Sequence, residues 1–419
     1  MAQIHKKFSD DQVGNLFNRY IHNEVERKYI QEILGIKKRR FFALLKQYRT
    51  DPKNFSIQYA RKTKTRSIDP RIEKNILKEL KIDKKAIQNK NIPLKSYNYS
   101  YVRDRLETKY KQKVSLPTII DRAKKNDRYL PQKRKKKIHD REVLTNYAGE
   151  LIQHDSSHHL WAPAAKEKWY LITSIDDFSR FILYAVLLKR ESSWAHILAL
   201  QTVILKYGCP FKYYVDSHPV FRFVQGRDSF WRKHNRLTDE ATPQWKQVLF
   251  DCNIKITYAL SPQAKGKVER PYGWLQDRLI RNCIRENVTD IKHAQKILNQ
   301  EINRYNCRQL HSTTEEVPYF RLQKALTDNN SLFREFKILP PYQSTKDIFC
   351  LRTNRTIDAY RKISLNNLQL KINNAVPRET VNLRIYPLNK SLFEIRFWCG
   401  GKLLDVQNVK KKDLQGVQF

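Results

Sequence analysis

Between Gly149 and Tyr305 short runs of β-branched and aromatic residues alternate with longer amphipathic stretches, a pattern that only a layered α/β arrangement accommodates. Trp169–Ile175 and Phe181–Leu188 are dense in residues that suit a pleated, half-buried backbone, and the turn-like DDFSR between them predicts a β-hairpin. A helix is expected over Trp194–Tyr207, ended by Gly208, Cys209 and Pro210. Phe211–Val215 reads as a short strand stopping at Asp216, and Ile254–Ala259 as another. Leu275, Leu279, Ile280, Cys283 and Ile284 then recur at the spacing of one helical face. With a first strand near Asp155, the order is β-β-β-α-β-α-β-α. It predicts a mixed sheet with helices on its faces.

Composition divides the rest of the chain into further parts. In residues 1–62, Val25, Tyr29, Ile30, Ile33 and Leu34 sit at helical spacing, the pattern breaks at Gly35, and a second helix opens with Lys37, Lys38, Arg39 and Arg40. That is a helix-turn-helix layout whose basic start would face phosphates and base edges. A helical hairpin with a solvated charged face has the same signature. Residues 63–130 repeat the theme as a second helix-turn-helix or winged-helix-like unit. Ile72, Ile76, Leu77 and Leu80 form one stripe there, Tyr101, Val102 and Leu106 another, and Ser115 caps a short helix with Pro117 in its first turn. A basic linker is expected over 131–148, opened by the run PQKRKKK, then the α/β core over 149–320 and a linker over 321–346. Several short strands over 347–419, with a hairpin at Gly400 and Gly401, predict a small β-barrel-like domain.

Charge narrows the partners. Lys and Arg number 81 against 42 Asp and Glu, a formal net charge of +39. So large an excess repels itself unless a polyanion is the usual neighbour, and double-stranded DNA is one, because neutralising its phosphates releases condensed counterions. The six cysteines include no CxxC pair, which argues against a zinc knuckle or a disulfide framework. The sequence has no uncharged apolar run of 18 residues and no secretory apolar segment near Met1, so a cytoplasmic protein associated with DNA is expected.

Three acids stand where strands end or helices begin: Asp155 in LIQHDSSHHLW, Asp216 in YYVDSHPVF and Glu269 in SPQAKGKVERPYG. Singly, each has an ordinary reading as a turn, a cap or a surface residue. Together, on a sheet of this order, they could converge. A carboxylate trio is what two Mg²⁺ or Mn²⁺ ions about 4 Å apart require when they activate an attacking oxygen and steady a leaving one. Asp176 and Asp177 are set aside, because a hairpin turn favours Asp for backbone reasons.

These segments resemble the integrase-core (DDE) transposases, most closely the ISNCY-like insertion-sequence group. Gln153 to Trp161 is similar to that group's Q-x-D-G-S-x-H-x-W, Tyr214 to His218 with Phe221 to its Y-x-D-x-H…F, and Ser261 to Arg270 to its S-P-Q-A-K-G-R-V-E-R. The resemblance implies an RNase H-like catalytic core flanked by tandem N-terminal helix-turn-helix domains and a small C-terminal β-domain. It implies Mg²⁺-dependent cleavage at element ends and strand transfer into target DNA, with Asp155, Asp216 and Glu269 as catalytic metal ligands. A homo-oligomer, at least a dimer, would handle two ends together. Lys265, Lys267 and Arg270 would contact DNA, and His159 and His218 would be accessory.

There are departures. Ser156 stands where the group has Gly, and no His-His-Cys-Cys module precedes the core. The Asp216–Glu269 gap is longer than in retroviral integrases, and its extra segment, about Arg222 to Lys246, places Phe223, Phe230, Trp231 and Trp245 among cations. That segment is either a DNA-facing insertion or a plain helical excursion. Pro271 is expected in the first turn of the Glu269 helix, where it is tolerated. Two other functions fit the same residues: a catalytically silent DNA-binding regulator derived from a transposase, and an RNase H-like nuclease.

Overall fold

The computed structural model describes residues 4–58, 68–131, 145–216, 218, 220–221, 243–259, 266–365 and 368–413, excluding the side chains of 266–271 and 411. It divides into two compact units, Met1–Glu73 and Lys74–Phe419.

The first unit holds three helices, α1 (Asp10–Ile21), α2 (Arg27–Leu34) and α3 (Lys38–Thr50). Ser9 and Gln12 close a capping box at the start of α1, satisfying two backbone donors that a helix start leaves without partners. Gly35 ends α2 at φ 59°, a left-handed turn that glycine adopts without strain, and the chain re-enters a helix at Lys38. Val13, Phe17, Ile30, Leu34, Phe41 and Leu45 form the core. Lys37, Lys38 and Arg39 are exposed at the start of α3, and Arg40 is half-buried.

In the second unit α4 (Pro70–Gln88, of which Lys74 onward belongs here), α5 (Tyr99–Tyr110) and α6 (Leu116–Lys125) precede the sheet. The Ser115 side chain accepts from the Thr118 amide at the start of α6, as the sequence suggests. Five strands follow: β1 (Leu151–His159), β2 (Trp169–Asp176), β3 (Ile182–Leu188), β4 (Lys212–Val215) and β5 (Lys255–Tyr258). They lie in the order β3-β2-β1-β4-β5. The pairs β1–β2 and β2–β3 are antiparallel, whereas β1–β4 and β4–β5 are parallel. Between β3 and β4 runs α7 (Ser193–Tyr207), and between β4 and β5 runs α8 (Gln244–Asp251). After β5 come α9 (Gly266–Arg285), α10 (Ile291–Arg308) and α11 (Pro318–Thr327). From β1 through α9 this is the element order read from the sequence, and α10 and α11 extend it.

Alternation along the strands separates two faces. Trp169, Leu171 and Leu187 pack with Tyr272, Leu275 and Leu279 of α9 and Leu298 of α10. Ile152, Tyr213 and Val215 face α7 and α8, and that core continues without a break into Ile348, Leu383, Ile395 and Phe397 of the C-terminal region.

That region comprises α12 (Thr345–Ile348), β6 (Leu351–Thr356), β7 (Lys362–Leu365), β8 (Leu368–Lys371), β9 (Thr380–Pro387), β10 (Leu392–Cys399) and β11 (Lys402–Lys410). Among the described residues the strands do not close into the expected small barrel. The strands make an open four-stranded sheet, β11-β10-β9-β6, and a separate β7–β8 hairpin. The apolar side of the sheet is covered by the core of the preceding α/β layer, so closure on itself is not needed to keep it from water.

Two further expectations are corrected. Pro271 is the sixth residue of α9, beyond its first turn, so a main-chain donor is missing inside the helix. Trp245, grouped by sequence with the insertion, is fully buried and stacks on His154. Phe223, Phe230 and Trp231 lie outside the described residues.

Candidate active site

The parallel pairing of β1 with β4 fixes two of the three acids. Ile152 lies opposite Tyr213 and Gln153 opposite Tyr214. Carried two residues further, the register sets Asp155 level with Asp216, which follows the last residue of β4. Neighbouring strands are about 4.8 Å apart, and residues in register point to the same face. Both aspartates are half-buried. The Asp216 carboxylate also accepts the His218 amide at 3.0 Å, a local turn that holds the chain as it leaves the strand.

The third acid is on α9, whose position is set by a neighbouring tyrosine. The Tyr272 hydroxyl donates to the Asp155 carbonyl at 2.7 Å and accepts from the Thr173 hydroxyl at 2.8 Å. Thr173 is the partner of Asp155 across β1–β2, so a single phenol ties the helix to the strand at the level of Asp155. Burial pushes the Tyr272 hydroxyl well above its usual pKa, and the Asp155 charge adds to the effect. Glu269 lies three residues before Tyr272, one turn earlier on the same helix. Its side chain, and those of Lys267 and Arg270, are outside the described residues, as is Lys265 altogether. Among the described residues no three His, Cys, Asp or Glu side chains gather as a metal site.

The two histidines fall differently. His218 is exposed two residues after Asp216. His159 is four residues beyond Asp155 on β1, about 13 Å along an extended strand, and sits against Trp161. The structure does not bring it to the aspartates. Burial lowers the His159 pKa.

Sequence reasoning missed the polar chain behind β1. The Ser156 hydroxyl donates to Glu191 at 2.5 Å, and Glu191 lies 2.8 Å from His196 Nε2. His196 Nδ1 is 2.8 Å from His154 Nε2, and His154 Nδ1 is 2.8 Å from the Ser174 hydroxyl. Burial raises the Glu191 carboxyl, but the bonds from His196 and Ser156 outweigh it and leave its pKa lowered. The serine that replaces the resembled group's glycine thus has a specific partner. No local pattern marks Glu191, which precedes α7 and comes close only through the sheet. Tyr272 was within reach of sequence reasoning, being one helical turn from Glu269.

Asp176 and Asp177 are structural. Asp176 accepts from the Gly149 amide and from the amide and hydroxyl of Ser179, and Asp177 pairs with Arg180 at 2.6 Å. Asp177 also accepts from Gln153.

A five-stranded mixed sheet in this order, flanked by helices, with one aspartate on β1 and another directly after the parallel strand β4, fits an RNase H-like core. No family model matches the chain. Over 244 residues, 58% of this chain and 48% of the other, it is 28% identical to a putative transposase, y4bF, of Sinorhizobium fredii. Over 235 residues, 53% of this chain and 49% of the other, it is 27% identical to the transposase for insertion sequence IS1202 of Streptococcus pneumoniae. The chain therefore spans about half the length of the curated relatives it matches. Among solved structures it is similar to the HTLV-2 integrase catalytic core domain in complex with magnesium, at 20% identity and TM-score 0.31, covering 43% of this chain and 98% of that one. It is also similar to a simian T-cell lymphotropic virus intasome chain, at 16% identity and TM-score 0.34, covering 70% of this chain and 91% of that one. Over those segments the chain is similar in sequence to transposases.

Proposed function

We propose that this chain is a DDE transposase of the ISNCY-like group, which cleaves DNA at element ends and transfers the freed strand into target DNA. The observation that carries the reading is the parallel β1–β4 register, which carried on by two residues sets Asp155 level with Asp216 just past β4, with the Glu269 helix fastened to the Asp155 carbonyl through Tyr272. Carboxylate oxygens are the donors that hard divalent ions take, so Asp155 and Asp216, with Glu269, would hold two Mg²⁺ or Mn²⁺ ions. Those ions, when bound, lower the pKa of the attacking oxygen and steady the leaving one.

The protein's own contribution is orientation. The β1–β4 register sets Asp155 level with Asp216, and Tyr272 ties the helix that carries Glu269 to the Asp155 strand. Lys37 at the N-cap of α3 and Lys38, Arg39 and Arg40 within it, with Lys265, Lys267 and Arg270, which flank Glu269 in the sequence, would hold double-stranded DNA by its phosphates. His218, two residues after Asp216, would contact water or DNA at the rim. The enzyme would act as at least a dimer, one chain for each end.

The test uses purified protein, Mg²⁺ and DNA carrying the element's ends. Strand-transfer product is expected from the wild type and none from Asp155→Asn or Asp216→Asn, with DNA affinity retained in both. An Asp155→Asn protein as active as the wild type would remove the site assignment. Cleavage without joining would favour the nuclease, and binding without cleavage the silent regulator.

A further inference from the structure

Helix α9 has a second side that the active site does not use. Tyr272, Leu275, Leu279 and Cys283 pack toward the sheet, whereas Arg278, Arg281 and Arg285 reach α4 and α5. Arg281 and Arg285 each donate to Asp83 at 2.6 Å, and Arg285 also donates to Glu79 at 3.0 Å. Arg278, joined by Arg304 of α10, donates to Asp104 at 2.7 Å. Asp83, Glu79 and Arg281 are completely buried. The Tyr101 ring lies 4.8 to 6.0 Å from the guanidinium carbons of Arg285, Arg278 and Arg281. Its hydroxyl donates to Asn282 at 2.5 Å, and Asn282 donates in turn to Glu301. Ala86 and Leu94 close the flank against Ile280.

Charges taken this far from water add little net stability, because desolvation offsets their attraction; removing one partner, however, leaves another charge buried and unpaired. The acids and arginines therefore match in one register, and a slide by a helical turn would strand several of them. Exposed cations are spread over this region, among them Lys81 and Lys85 on α4 and Lys109, Lys111, Lys124 and Lys125 on or beside α5 and α6.

We propose that residues 74–130 are a fixed spacer. Docked on α9 by the buried arginine–carboxylate lattice, they hold DNA gripped by their exposed cations at a set distance from Asp155 and Asp216, and this distance selects the nucleotide that is cut. Asp83, Asp104 and Tyr101 are then positioning residues for cleavage. The proposal rests on the transposase reading.

A protease site introduced within residues 132–144 of the full chain allows the connection to be cut after folding. The two wild-type fragments are expected to co-elute in gel filtration at high salt. Uncut wild type with Mg²⁺ and end-bearing DNA is expected to cleave at one nucleotide position. Tyr101→Ala with Asp104→Asn should release the 74–130 region after proteolysis and spread the cuts of the intact chain over neighbouring positions. If the double variant fails to fold, Asp104→Asn alone, in which an amide of equal size faces Arg278 and Arg304, should give the same spread in smaller proportion. Separation of the wild-type fragments would overturn the proposal, as would a folded variant that releases the region yet still cuts at one position. Absence of cleavage by the wild type would bring down the transposase reading and the spacing role with it, while co-elution would still report the docking.

Discussion

Single atoms decide how well the Asp155 strand is held. Removing the Tyr272 hydroxyl leaves the Thr173 hydroxyl and the Asp155 carbonyl without that partner inside the protein. Tyr272→Phe is expected to lower stability by about 1 to 2 kcal/mol, seen as a reduced urea midpoint at unchanged slope. It should also slow cleavage while leaving DNA affinity unchanged, and a cleavage rate equal to that of the wild type would show that Tyr272 does not position the site. Asp176 gives a pH signature. Burial raises its pKa to about 6 in the folded protein, against about 3.9 unfolded. A folded-state pKa above the unfolded one means that the native state binds the proton more tightly. Its stabilising effect is present below pH 4 and is lost as pH rises through 6, in total roughly 3 kcal/mol. Asp176→Asn cannot ionise, so the wild-type advantage in Tm over this variant should shrink between pH 4 and 6.5. A constant difference across that range would contradict the assignment.

At the scale of elements, close approach of two segments explains one glycine that the sequence marks only as a helix end. Gly208 has φ 97°, and a Cβ there would lie 2.5 Å from the Arg334 carbonyl oxygen. That carbonyl accepts the Cys209 amide, so the strap around Arg334 has little freedom to retreat. Gly208→Ala should cost about 3 kcal/mol. Gly400→Ala, with positive φ but nothing within 4 Å, should cost about 1 kcal/mol. Equal urea midpoints for the two variants would refute the steric account. The hairpin, α7, β4, β5 and α9 were legible in the sequence because period-2 and period-3.6 patterns switch sharply at Gly and Asp residues. What was hidden is pairing between distant segments. Register made Asp155 and Asp216 level, and Arg278, Arg281 and Arg285 look in sequence like any basic stripe, although their partners lie far away in α4 and α5. Trp245 was misread for the same reason, since cations next to it in sequence say nothing about His154 beneath it.

Across the whole molecule, the parts joined into one core differ from the parts that composition separates. Ile348, Leu383 and Phe397 share a core with Ile152 and Tyr213, and Asp251 of α8 pairs with Arg352 and Arg384. A chain ending at residue 343 would expose that shared surface, so it should be insoluble or molten, with near-ultraviolet dichroism lost. A sharp melting transition in the truncated chain would show the C-terminal sheet to be dispensable. The net charge of +39 acts over a longer range. Each phosphate neutralised by a cation contributes about 0.9 to the fall of log affinity with log salt. Binding of the Asp155→Asn protein to duplex DNA, measured across a salt series, gives that slope without interference from cleavage. If Lys37, Lys38 and Arg39 each meet a phosphate, replacing all three with Ala should reduce the slope by roughly 2.7 and weaken binding to every DNA sequence alike. An unchanged slope would mean that these exposed cations at the start of α3 do not touch the backbone. A slope change confined to one DNA sequence would instead make α3 a reader of bases.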